Sequence, residues 1–250
     1  MSRREDLPGR VALVTGSGRN IGRAIARALA AAGVAVVVNA HRSTADAEAV
    51  AEEIRRAGGR AAAKIADVSD PKAVEGLVDA VVGAFGRLDI LVNNAAVRKE
   101  TDFANLHYAE WRDIISTILD SAYLCSHAAL PHLMASGSGA IINIGGLSSF
   151  TGAAGRAHVV AAKAGLVGLT RGLAHDLARY GITVNCVAPG MIDTSRASGK
   201  EPAHHALHAP LVGRRGKPEE IAALVRFLSG PDARYITGQT IHANGGLYMS

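Results

Sequence analysis

Short apolar runs rich in β-branched residues recur along the chain. Between them lie longer segments whose apolar positions repeat with helical spacing. The runs RVALVT (10–15), VAVVVNA (34–40), AAAKIADV (61–68), DILVNNA (89–95), GAIINIGG (139–146), ITVNCVAPG (182–190) and GQTIHANGG (238–246) predict seven strands. The spacing predicts helices over 23–33, 44–57, 71–84, 107–135, 156–179 and 218–229. Gly33 is placed to stop the first helix, and Ser69-Asp70-Pro71 to open the third with a cap followed by proline. Strands that are apolar throughout, rather than alternating, belong to sheets covered on both faces. The expectation is one α/β domain over residues 1–250, a doubly wound, seven-stranded, mostly parallel sheet with helices on both faces.

Composition narrows the class without naming a chemistry. The chain has 250 residues, 48% hydrophobic and 20% charged, enough for a full core. No run of ~18 uncharged apolar residues occurs, so no membrane span is expected. The opening MSRREDLPGR has no apolar leader pattern. Cys125 and Cys186 sit far apart in apolar surroundings and read as buried thiols of a reducing compartment. The expected location is therefore the cytoplasm. The formal net charge is +5, but the arginines are scattered and no dense basic run exists, so a nucleic-acid partner is not expected.

Chemistry enters at the strand exits, where ligands of such sheets sit. The first strand opens into TGSGRNIGRA (15–24). Glycines between a strand and a helix let backbone N–H groups approach a pyrophosphate at the helix N-terminus. With this turn in its strand–turn–helix setting, the chain resembles the short-chain dehydrogenase/reductase family, a Rossmann-type fold. The family pattern T-G-x-x-x-G-x-G reads here Thr15, Gly16, Asn20 and Gly22, with asparagine in the middle glycine's place. Asparagine tolerates positive φ better than most residues, so the turn should survive. DVSD (67–70), NNAA (93–96) and APGMIDT (188–194) follow in family order. The resemblance implies dinucleotide contacts by Gly16, Ser17, Arg19, Asn20, Ile21, Gly22, Arg42, Asp67, Val68, Asn93, Ala95, Lys163, Pro189, Gly190 and Ile192. Strand two ends NAHRS without an acidic residue to hold ribose hydroxyls. Arg19 and Arg42 suit a 2′-phosphate, so NADP(H) is favoured over NAD(H).

The family's reaction uses a tyrosine, a lysine, a serine and an asparagine. Carried over by spacing, Lys163 is present, while the tyrosine, serine and asparagine positions hold Val159, Gly146 and Ile118. A slip of two or three residues would bring Ser148 or Ser149 to the serine's place. His158 neighbours Val159 but points about 100° away on a helix. The family's lid region corresponds to 191–216, where His204, His205 and His208 lie. A histidine there could reach a substrate on closure. His204 and His208 lack an evident third ligand, so no metal is expected. Arg98, just past NNAA, suits an anionic substrate group.

A positioned acid supplies about 10²–10⁴-fold in rate, so ordinary carbonyl reduction should be lost or weak. Several readings stay open. One is an NADP(H) oxidoreductase of unknown substrate, reducing iminium groups or using a lid histidine as acid. Another is an inactive sensor or partner subunit, and a third an isomerase or lyase reusing the pocket. The resemblance also implies a homo-oligomer, a tetramer, paired through 107–135 and 156–179.

Overall fold

Consecutive valines, isoleucines and leucines fit a pleated surface covered from both sides, and each predicted apolar run contains a strand. A computed structural model describes residues 7–194 and 209–249. The strands are β1 (Val11–Val14), β2 (Ala35–Ala40), β3 (Ala61–Ile65), β4 (Ile90–Asn93), β5 (Ala140–Ile144), β6 (Thr183–Pro189) and β7 (Thr240–Ala243). They form one seven-stranded sheet in the order β3-β2-β1-β4-β5-β6-β7. Every pairing is parallel, with Val14 opposite Val38 on one side and Val92 on the other. The order reverses at β1, which places a switch point between β1 and β4.

The helices are α1 (Asn20–Ala31), α2 (Thr44–Arg56), α3 (Pro71–Phe85), α4 (Tyr108–Ile115), α5 (Ser121–Ala135), α6 (Ser148–Thr151), α7 (Ala157–Leu177) and α8 (Pro218–Leu228). Alternate strand positions feed two cores. Val14, Val36 and Val92 pack with Ile25 and Leu29 of α1 and Val225 of α8. Leu13, Val37 and Leu91 pack on the other face with Leu77 of α3, Ala129 of α5 and Leu177 of α7. Asp70 caps α3 by accepting from the Lys72 N–H, with Pro71 next, as its sequence requires. Both cysteines are free and buried. Among the described residues, no helix is long and apolar enough to cross a membrane.

Three expectations are corrected. α1 begins at Asn20, not 23, because the glycine turn closes directly into the helix. The stretch 107–135 is not one α-helix: Ser116–Asp120 forms a π-helical turn between α4 and α5. The strands beginning at 61 and 89 stop at Ile65 and Asn93, earlier than their apolar runs suggest. Past β3 the Ala66 N–H still donates to the Ala40 carbonyl of β2, while past β4 Asn94 bonds to Thr15. The short α6 follows β5 without a periodic signal, being only four residues long.

Entry ends are fastened by arginines. Arg10 donates to the carbonyls of Ser138, Ser229 and Asp89, and Arg234 to those of Ser138, Gly139 and Gly181. Asp89, fully buried, accepts from the Val11 N–H and from Arg87.

Candidate active site

The glycine turn is held from beneath by two asparagines. Asn39 interrupts the apolar β2 and is buried. Its Oδ1 accepts from the Gly16 N–H at 3.2 Å, and its amide nitrogen donates to the carbonyls of Lys64 and Ala66. Asn94, past β4, donates to the carbonyls of Thr15 and Gly16, both at 2.9 Å. Thr15 Oγ1 accepts in return from the N–H groups of Asn94 and Ala95. These bonds join the exits of β1, β2, β3 and β4 around the turn. Gly16 has φ +60°, and a Cβ there would come within 2.9 Å of the Ala95 backbone. A Cβ on Gly22 would meet Asn94 Nδ2 and the Gly16 carbonyl, both at 2.6 Å. Asn20 takes φ +51°, the left-handed conformation expected of it. Ser17 turns inward: its hydroxyl donates to the Val14 carbonyl, and its N–H donates to that of Asn39.

Among the described residues, α1 starts without a side-chain cap hydrogen bond from Arg19. Arg19 is exposed at this end. Beside it runs a groove of about 490 Å³, lined by Arg19, Asn20, Asp46, Asp193, Thr194 and Pro218 among others. These features fit a dinucleotide's phosphates. At the exits of β2 and β3, His41 Nε2 lies 3.2 Å from Asp67 Oδ2. Burial pushes the Asp67 carboxyl up, but hydrogen bonds from Ser69 and the charges of His41 and Arg42 together hold it below the usual carboxylate range. Arg42 is exposed. Val68 and Ile21 are buried behind this rim.

The remaining expected contacts lie at the exits of β4 and β6. Asn93 is buried and donates to Asn143 and Ser126, while Asn143 donates to Thr170. Its amide belongs to a polar chain under α7 rather than to the rim. Pro189 ends β6, Gly190 donates to Ala243, and Ile192 bridges to Gly216. Of the expected lid, 195–208 lies outside the described residues, and with it His204, His205 and His208.

The catalytic positions converge around α7. Val159 is buried, and so is Ile118 in the π-helical turn. Both belong to one apolar cluster with Ile114, Ala122, Ala162 and Leu166. Gly146 lies past β5, and a Cβ there would touch nothing within 4 Å. Ser149 Oγ, nearby in α6, is buried with no hydrogen-bond partner among the described residues. Lys163 is buried, and its Nζ donates to the Ile144 carbonyl at 2.5 Å. Burial above all, aided by the charges of Arg98 and Arg156 and opposed by Cys186, lowers its ammonium to about 8. His158 is not a presented acid. Its side chain is wholly buried, with Nε2 3.4 Å from Glu110 Oε1. Burial lowers its proton affinity against the pull of Glu110, which Lys99 and Thr101 already engage. Arg98 is exposed, and its Nη1 donates to Thr194 Oγ1 at 3.1 Å.

Asn39 and Asn94 lie within NAHRS and NNAA but are not among the expected contacts, yet their hydrogen bonds hold the turn. The signal for Asn39 is an amide inside an otherwise apolar strand, a position that demands internal partners.

A parallel sheet whose strand exits close around an uncapped helix and a glycine turn defines a dinucleotide-binding α/β protein. A family model described as enoyl-(acyl carrier protein) reductase matches residues 16–248. A 3-oxoacyl-[acyl-carrier-protein] reductase FabG of Staphylococcus aureus is 44% identical over 240 residues, covering 95% of this chain and 98% of the relative. That of Vibrio cholerae is 41% identical over 247 residues, covering 98% and 99%. A solved structure of a short chain dehydrogenase from Burkholderia cenocepacia J2315 in complex with NADP superposes with a TM-score of 0.89. It is 39% identical, and the match covers 97% of this chain and 99% of that one. The chain belongs to the short-chain dehydrogenase/reductase family of oxidoreductases.

Proposed function

We propose that this protein is an NADP(H)-dependent oxidoreductase whose hydride step does not rely on a phenol, and that ordinary carbonyl reduction by it is weak. The nicotinamide group, when bound, supplies hydride. The chain's own residues hold and orient. The Gly16–Gly22 turn and the α1 N-terminus receive phosphates, Arg19 and Arg42 favour a 2′-phosphate, and Lys163 donates to ribose hydroxyls. The observation that carries this reading is the shared burial of Ile118 and Val159 in one apolar cluster. No hydroxyl or amide stands at the three positions that would handle a proton at the substrate oxygen. An iminium carbon accepts hydride without proton transfer to oxygen, so a C=N substrate suits such a site.

A second reading follows from the relatives' names: reduction of a 3-oxoacyl thioester. It is favoured by 44% identity over nearly the whole chain. Following NADPH oxidation with a 3-oxoacyl thioester, simple ketones and cyclic iminium salts separates the two. Turnover confined to iminium salts supports the first reading. Thioester turnover at rates normal for such reductases establishes the second and overturns the first. Absence of any turnover, with NADPH still bound, would favour a sensor or partner subunit instead.

A further inference from the structure

A fixed negative charge stands at the rim that is read as taking a phosphate. β2 stops at Ala40, so His41 is the first residue past its exit. Two residues earlier, Asn39 accepts from the Ser17 N–H at 2.8 Å and from the Gly16 N–H at 3.2 Å, which fastens this exit to the glycine turn. Two residues later, Ser43 caps α2 by accepting from the Asp46 N–H. A link of three residues, pinned at both ends, keeps His41 and Arg42 at the rim. Past the neighbouring strand β3 stands Asp67. Its Oδ1 accepts from the Ser69 N–H at 2.9 Å and from the Ser69 hydroxyl at 2.6 Å, so the carboxylate is held in place. Its Oδ2 lies 3.2 Å from His41 Nε2. The carboxyl sits below the usual carboxylate range and is charged at neutral pH. The other charged side chains on the elements around His41 are Arg42 beside it, Lys64 at the end of β3, Asp46 in the first turn of α2 and Arg19 in the glycine turn.

In such folds the ribose 2′ position lies near the exit of the second strand. A 2′-phosphate brings two negative charges there, and the Asp67 carboxylate opposes them. A neutral imidazole at His41 leaves that opposition in place, whereas an imidazolium cancels it. Histidine is the side chain that makes this exchange near neutral pH. We propose that His41 is a specificity-determining residue that takes up a proton when NADP(H) binds, so that the preference for NADP(H) over NAD(H) grows as pH falls. This rests on the reading of the site as one for NADP(H) and adds a proton to it. The proton comes from solvent, to which both members of the pair are open, His41 by 54% and Asp67 by 43% of the side chain. The imidazolium then carries N–H on both ring nitrogens and leaves Asp67 charged but paired. NAD(H) has a hydroxyl in place of the phosphate, so it gives His41 no such reason to charge.

The test reads binding rather than turnover. Calorimetry of the full chain with NADP⁺ at about pH 7.5, in two buffers of different ionisation enthalpy, measures the protons taken up. The 2′-phosphate has its second ionisation near ~6 and is already mostly a dianion at that pH, so the uptake reports the protein. NADP⁺ should take up a substantial fraction of a proton and NAD⁺ close to none. His41→Gln should abolish the uptake while binding NAD⁺ as the wild type does, which also reports that the variant folds. From about pH 7 to about pH 9 the wild-type ratio of NADP⁺ to NAD⁺ affinities should fall about threefold or more, and in His41→Gln it should stay level. Asp67→Asn removes the opposing charge and should raise the ratio at the alkaline end about threefold. Uptake that persists in His41→Gln, a wild-type ratio indifferent to pH, or a ratio unmoved by Asp67→Asn overturns the proposal. A wild type that prefers NADP⁺ at no pH overturns the NADP(H) reading itself, a result distinct from a preference that is present but independent of pH.

Discussion

Ile118, in the wide turn between α4 and α5, and Val159, in the first turn of α7, are walls of the same apolar cluster. A polar group placed at Ile118 alone would face this apolar cluster. Ile118→Asn alone should lower stability by about 2–4 kcal/mol, because the amide meets only aliphatic neighbours. Urea unfolding measures it. A change under 1 kcal/mol would mean that the cluster already admits water.

The triple change Ile118→Asn, Gly146→Ser and Val159→Tyr gives the three groups one another as partners. Serine at 146 meets no steric obstacle. A phenol at 159 would stand one helical turn from Lys163, whose ammonium lowers its proton affinity. The triple variant should reduce small activated diketones, Val159→Tyr alone should do so partially, and the wild type should stay near background. Wild-type turnover of those diketones at family rates would show that another residue delivers the proton. A folded, NADPH-binding triple variant that remains inert would move the non-redox readings ahead.

Lys163 gives the fold a pH dependence of definite sign. Its midpoint is about 8 when folded and 10.5 in its ordinary state, so the unfolded chain holds more proton between those values. The burden of the buried charge is full below pH 8 and is relieved as pH rises toward 10.5. Lys163→Met should therefore be more stable than the wild type at pH 7, by at most about 3 kcal/mol. The gap should narrow above pH 8. Melting temperatures across that range decide it, and a gap that widens with pH contradicts the burial argument. The same variant should bind NADPH more weakly, by about 1–3 kcal/mol, through lost bonds to ribose hydroxyls.

NADPH should bind more tightly than NADH, because no carboxylate ends β2 and Arg42 is exposed beside Asp67. Arg42→Ala should erode the difference by about 1–3 kcal/mol. Calorimetry with both nucleotides measures this. Equal affinities in the wild type would refute the preference.

The chain should assemble as a homotetramer. Tyr108 and Tyr123, on α4 and α5, are 76% and 52% exposed, large apolar surfaces for helices to leave uncovered. Sedimentation at micromolar concentration should show a species near four chain masses, and Tyr123→Arg should shift it toward smaller ones. A wild type that sediments only as a 25.8 kDa particle refutes the assembly.

How far the sequence could be read depends on which contacts are local. The strands were legible because Val36, Val37 and Val38 leave little choice but a sheet covered on both faces. The α3 cap was legible because Asp70 acts within its own turn. Asn20 was legible as a left-handed residue on the same ground. The π-helical turn at Ser116–Asp120 was not, since nothing in STILD breaks helical spacing. The inward turn of Asn93 and Ser17 was likewise hidden: a motif names the residues at a rim but not which of them face away from it. That His158 points away from position 159 was legible from helical spacing, but its neighbour Glu110, on a helix remote in sequence, was not.

Arg10 and Arg234 grip carbonyls at the entry ends of the strands, while Gly146 lies past the exit of β5 and Ile118 and Val159 lie on helices. The two sets of residues have different jobs and share few bonds. A descendant can therefore exchange the side chains at 118, 146 and 159, losing one chemistry and trying another, without loosening the clasp that keeps the sheet assembled. The fold in this sense carries a replaceable tool on a permanent handle.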